Sequence, residues 1–120
     1  MPRPEAHLSP DRPLADEEAE RIAERMAAFA TASRLKLLYA LVDRQLSVDE
    51  LAREAGLGAN AVSQQLRVLR HLRMVTVRRD GRRMLYRLHD DHLVDLLGAI
   101  RHQLEHTEHG WVDRGRHEHV

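Results

Sequence analysis

The sequence predicts a mainly α chain with one β-hairpin, an α+β fold whose elements follow the order ααααββα. Three observations predict it. Apolar residues recur at spacings of three and four from Asp16 to Leu72, and again from Asp90 to Glu108. Between those stretches the period drops to two: Val75 and Val77 alternate with Thr76 and Arg78, while Met84, Tyr86 and Leu88 alternate with Leu85 and Arg87. An Asp80–Gly81 pair lies between the two runs, a strong short hairpin signal.

Residues 1–13, MPRPEAHLSPDRP, hold all 4 prolines and read as a flexible tail. A single domain is expected over 14–108, followed by a flexible, His-containing tail over 109–120. The first helix begins at Asp16 and carries Ile22, Met26 and Phe29 on one side. ATAS then interrupts the pattern, and Ser33 is the expected cap of a second helix bearing Leu35, Leu37, Leu38, Ala40, Leu41 and Val42. In SVDELAREAGL, Ser47 and Glu50 fit a capping box in which each side chain satisfies the other's orphan amide. Leu51, Ala52 and Ala55 line that third helix, and Gly56 is placed to end it in a left-handed conformation. The fourth helix, within GANAVSQQLRVLRHLRMV, points Val62, Leu66, Leu69, Leu72 and Val68 inwards and leaves Asn60, Ser63, Gln64, Arg67 and Arg70 outside. The last helix runs from about Asp90 to Glu108.

The 120 residues contain no cysteine, which excludes disulfides, thiolate metal sites and a thiol switch. No apolar run is long enough to span a membrane, and the start lacks a basic, apolar signal segment, so a cytoplasmic location is expected. Formal net charge is zero, yet residues 58–89 gather eight arginines against one acid, Asp80. That local excess points to a polyanion.

A short helix, a glycine turn, a second helix and a basic hairpin make a winged helix-turn-helix. Its second helix offers Asn60, Ser63, Gln64 and, one position round, Gln65 near its N-terminal end. Gln can bond adenine bidentately, and Ser serves several base edges or a phosphate. Arg67 and Arg70 lie further along and suit phosphates. Arg78, Arg79, Arg82 and Arg83 sit on or beside the hairpin tip, where a wing meets the DNA backbone or minor groove. Amide-rich helices and Arg-rich hairpins can each be plain solvated surface. Their ordered combination with a local charge excess favours double-stranded DNA.

Nine histidines in so short a chain lean towards its C-terminal third. On the last helix, Leu93, Leu96, Leu97, Ile100 and Leu104 share a face, and His92, Gln103 and His106 fall on a neighbouring one. His92 and His106 are 14 residues apart, roughly 21 Å along one helix, so one helix cannot bring them to one ion. Two antiparallel copies crossing near Gly98 and Ala99 can, and the twofold axis then makes two equivalent sites. Asp90 and Asp91 can also serve simply as helix caps. Imidazole with carboxylate suits nickel, cobalt or zinc; four ligands favour tetrahedral zinc, six favour octahedral nickel or cobalt. The surplus of His and Glu favours six, which puts nickel first, then cobalt or zinc.

The order of elements, with ATASRLKLLYAL, SVDELAREAGLGANAVSQQLRVLRHLRMV and RRDGRRMLYRL, resembles the ArsR/SmtB family of bacterial metal-responsive repressors over roughly residues 16–108. Gln65 stands where many members have His. The resemblance implies a homodimer, joined through its first and last helices, that binds an imperfectly palindromic operator and releases it on binding metal. It also implies a metal site built from an Asp-x-His pair of one protomer and a His-x-x-His or His-x-x-Glu pair of the other. Asp90-x-His92 matches the first pair; in the second, His106 matches but Gln103, a poor ligand, takes the preceding place. The replacements on offer are His102 and Glu105. Later histidines, His109, His117 and His119, together with His7, resemble the terminal ligands recruited by the family's nickel/cobalt sensors. The family's cysteine site at the third helix is absent, with Ser47 and Asp49 in that place. An enzyme is not expected: HExxH and a Gly-rich phosphate loop are both missing. The alternatives left open are a signal other than metal, metal as corepressor, and reliance on an accessory protein.

Overall fold

The computed structural model describes residues 12–118, with side chains through Glu108. The elements are α1 (Asp16–Met26), α2 (Ala32–Ala40), α3 (Val48–Ala55), α4 (Ala59–His71), β1 (Val75–Asp80), β2 (Arg83–Leu88) and α5 (Asp91–Glu118). This is the expected order, ααααββα. Most of the 1–13 stretch, with His7, lies outside the described residues, as do the side chains of His109 and His117 and all of His119.

Helix α1 has Asp16, Glu17 and Glu18 in its first turn, which complement the positive end of its dipole. It buries nothing in its own chain; Ile22 and Met26 are exposed. A 3₁₀ turn, Ala27–Phe29, then buries Ala28 and leads into α2. The cap of α2 is Thr31, not Ser33. Thr31 has the extended backbone of a cap, and its Oγ1 accepts the Arg34 N–H at 3.2 Å, whereas Ser33 already lies inside the helix.

The capping box of α3 is complete: Glu50 N–H donates to Ser47 Oγ at 3.2 Å, and Ser47 N–H to Glu50 Oε1 at 2.8 Å. Gly56 ends α3 at φ 69°. Helix α4 ends with Arg73 in the left-handed region at φ 62°. There the Met74 N–H reaches Leu69 O at 2.8 Å and the Arg73 N–H reaches Arg70 O at 3.0 Å, the two bonds of a Schellman motif.

The strands pair antiparallel from Val75↔Leu88 to Asp80↔Arg83. Asp80 is the last strand residue, and the loop is Gly81–Arg82, with Gly81 at φ 66° in the place where a II′ connection needs positive φ. Leu46 adds a short third rung by exchanging two backbone bonds with Tyr86, at 2.8 and 3.0 Å, and so ties the hairpin base to the start of α3.

Leu37, Leu38, Leu41, Leu51, Val62, Leu66, Leu69 and Leu97 form the fully buried centre of one core. One expectation fails here. Val68 is 39 % exposed, because it stands 200° round α4 from Leu66. On β2 Leu88 is buried in the main core and Leu85 apart from it, while Met84 near the hairpin tip is exposed. Helix α5 also runs past Glu108, where the leucine pattern placed its end.

Candidate functional site

The apolar side of α4 seats Val62, Leu66 and Leu69 in the core, which turns its other side outwards. Asn60, Ser63, Gln64, Arg67 and Arg70 are all exposed on it. Gln65 is half-buried instead, and its Oε1 accepts from Arg34 Nη1 of α2 at 3.5 Å. One oxygen lone pair of Gln65 is thereby engaged, which works against a bidentate contact with adenine.

The arginines of the hairpin divide into two kinds. Arg78 donates its Nε to Gln45 Oε1 at 2.8 Å, and Arg83 donates to Glu50 Oε1 at 2.7 Å. These two bonds clasp the hairpin against the start of α3. Arg79 and Arg82, at the tip, are exposed and carry no hydrogen bond or ion pair to another side chain among the described residues. Glu50 belongs to both the helix cap and the clasp. The Ser47 N–H first, and the Arg83 guanidinium after it, hold the Glu50 carboxyl below the usual carboxylate range. The partners that set Arg78 and Arg83 apart from Arg79 and Arg82 each lie 33 residues away in the sequence, beyond the reach of any local pattern.

At the other end, Asp90 caps α5: its Oδ1 accepts the Leu93 N–H at 3.0 Å, and its Oδ2 lies 3.3 Å from His89 Nδ1. The Leu93 N–H and then His89 hold the Asp90 carboxyl below its usual range. His92 Nδ1 lies 3.9 Å from Asp90 Oδ1, and the imidazole is 98 % exposed. Thus Asp90 and His92 form one local pair. His102 and His106 form another, one turn apart on α5, with near-parallel rings whose centroids are 6.3 Å apart. Glu105 is exposed beside them. Among the described residues of one chain, no three His or acidic side chains converge on a point. The donors are all imidazoles and carboxylates, a set that fits a borderline divalent metal and offers nothing to a thiophilic one.

Between the two pairs, α5 changes character. Leu93 and Leu97 are buried against the body, whereas Leu96, Ile100 and Leu104 are 45 %, 44 % and 56 % exposed. Every side chain from Gly98 to Glu108 is exposed, and a Cβ built on Gly98 would meet no atom within 4 Å.

A helix-turn-helix with a clasped basic wing is the architecture of DNA-binding transcriptional regulators. The comparisons narrow the class. Residues 31–77 match the family model described as bacterial regulatory protein, arsR family. The chain is 40 % identical over 110 residues to the HTH-type transcriptional regulator NmtR of Mycobacterium tuberculosis, covering 92 % of both chains. It is 39 % identical to KmtR of the same organism, covering 85 % of this chain and 78 % of that one. The crystal structure of Mycobacterium tuberculosis Rv0081 superposes with a TM-score of 0.74 at 33 % identity, covering 82 % of this chain and 99 % of that one. The chain belongs to the ArsR family of bacterial regulatory proteins. No helix among the described residues is long and apolar enough to cross a membrane.

Proposed function

We propose that this protein is a homodimeric, metal-responsive repressor that binds a palindromic operator and releases it when a divalent metal occupies sites shared by the two α5 helices. The carrying observation is the layout of α5: a donor pair at each end and an uncovered apolar strip between them. Within one chain the pairs stand too far apart to share an ion. An antiparallel partner helix covers Leu96, Ile100 and Leu104, passes close at Gly98, and brings the partner's far pair beside Asp90 and His92. The exposed apolar side of α1, with Ile22 and Met26, extends the same interface.

In this reading Asp90 and His92 of one protomer, with His102 and His106 of the other, hold the metal. His102 supplies the donor that Gln103 lacks, and Glu105 and His109 add ligands where six are needed. Nickel is the first expectation, then cobalt or zinc. On the DNA side, Ser63 and Gln64 read base edges, while Asn60, Arg67, Arg70, Arg79 and Arg82 meet phosphates. Gln65, Arg78 and Arg83 orient these surfaces. The metal supplies charge and coordination geometry that favour one arrangement of the protomers, and DNA must weaken metal binding by the same factor.

The test is a titration of operator affinity with nickel, cobalt and zinc at fixed salt, in the native protein and in His92→Ala/His106→Ala. The native protein should lose about 5- to 150-fold in operator affinity on metal addition, and the double variant should lose nothing. An unchanged metal response in the double variant rejects the reading.

A further inference from the structure

Leu97 marks the place where α5 leaves the body of the chain: it is fully buried, and every side chain from Gly98 to Glu108 is exposed. At that place the Tyr39 hydroxyl, on α2, donates to the Leu97 carbonyl at 2.8 Å. The Arg101 guanidinium lies over the Tyr39 ring, 5.6 Å from its centroid. Among the described residues this is the only side-chain hydrogen bond joining α5 to another helix. The Tyr39 ring itself packs on the core, so the hydroxyl is held by a rigid mount.

We propose that Tyr39 is a positioning residue, which fixes the direction in which residues 98–108 project and thereby transmits metal occupancy on α5 to the DNA-facing helix α4. The lever arm makes the bond matter. His106 lies nine residues beyond Leu97, about 13 Å along the helix, so a tilt of about 10° at Leu97 displaces it by about 2 Å. Metal–ligand distances tolerate only about 0.2 Å, so such a tilt separates the donors of a shared site. In the other direction, the same helix α2 that carries Tyr39 carries Arg34, which reaches Gln65 on α4 at 3.5 Å. Helix α2 therefore touches both α5 and α4 through side chains of its own. The transmission rests on the metal-responsive reading above; the positioning of α5 does not.

Two measurements on the full chain test this. The sequence has no cysteine, so Arg53→Cys on α3 and Gln103→Cys on α5, both at exposed positions, take a unique pair of spin labels. In labelled chain diluted with unlabelled chain, the distance distribution should be narrow with Tyr39 present and should shift or widen with Tyr39→Phe, which keeps the ring and removes only the hydroxyl. An unchanged distribution overturns the proposal. In the second measurement, the ratio of operator affinities without and with Ni²⁺ should fall about tenfold in Tyr39→Phe, which removes two bonds per dimer, while metal-free operator affinity stays within about twofold. Arg101→Ala, which leaves the hydroxyl bond in place, should lower that ratio less. A ratio unaltered by Tyr39→Phe, or a fall in metal-free affinity at constant ratio, also overturns the transmission. A protein indifferent to nickel, cobalt and zinc rejects the metal-responsive reading, and the label distances still decide the role of Tyr39.

Discussion

Helices α4 and α5 are both rich in leucine, and both carry polar side chains suited to a ligand, yet they complete their apolar sides differently. Helix α4 closes its own: Val62, Leu66 and Leu69 are buried within the chain, and the opposite side is left to face DNA. Helix α5 closes only its first two turns, through Leu93 and Leu97, and leaves Leu96, Ile100 and Leu104 exposed. The contrast separates two jobs. One helix is made rigid by its own domain, which on the proposed reading keeps base contacts in register. On that reading the other is finished only by assembly, so that assembly can be tuned by a bound ion.

The comparison breaks most visibly at Ile100. Ile100→Glu places a charge in the uncovered strip and should split the dimer with little change in the domain core. Operator affinity then falls about 10²- to 10⁴-fold as the two half-sites cease to be held together. Sedimentation and operator titration check this together, and a variant that stays dimeric removes α5 from the interface. Leu66→Ala strikes the self-closed helix instead. It should cost about 2–5 kcal/mol of domain stability, read by denaturant midpoint. The smallest change is on the outer side of α4: Gln64→Ala should weaken operator binding by about 1–3 kcal/mol, with most of the loss confined to one base position. An equal loss on every DNA sequence would assign Gln64 to phosphate instead.

The difference between these helices also explains what the sequence disclosed. The local chemistry of α3 was legible: the Ser47–Glu50 capping box and the left-handed Gly56 follow from residues close together in sequence. The leucine rows on α4 and α5 were equally legible, because helical period alone places them. Periodicity says nothing about which chain covers a row, so the exposure of Leu96, Ile100 and Leu104 needed the fold. The same limit explains Thr31 taking the cap from Ser33, since two hydroxyls two residues apart differ only in backbone conformation. Long-range pairs were invisible. Arg34 meets Gln65 across 31 residues, Arg83 meets Glu50 across 33, and Tyr39 meets Leu97 across 58. Each changes the role read for a side chain without altering any local pattern. A Tyr followed on another helix by Leu and Arg one turn apart carries no signal of its own.

The exposed stretch from Gly98 to Glu108 buries no side chain within its own fold. Apart from Arg101, which lies over the Tyr39 ring, substitutions there should therefore change the stability of the monomer little. On the proposed reading such a segment can exchange metal donors, with His102 beside Gln103 serving in its place, without disturbing the helix-turn-helix head. With the metal held on α5 as proposed, a change of metal preference is separable from a change of operator recognition, and two chains with the same head can come to answer different ions.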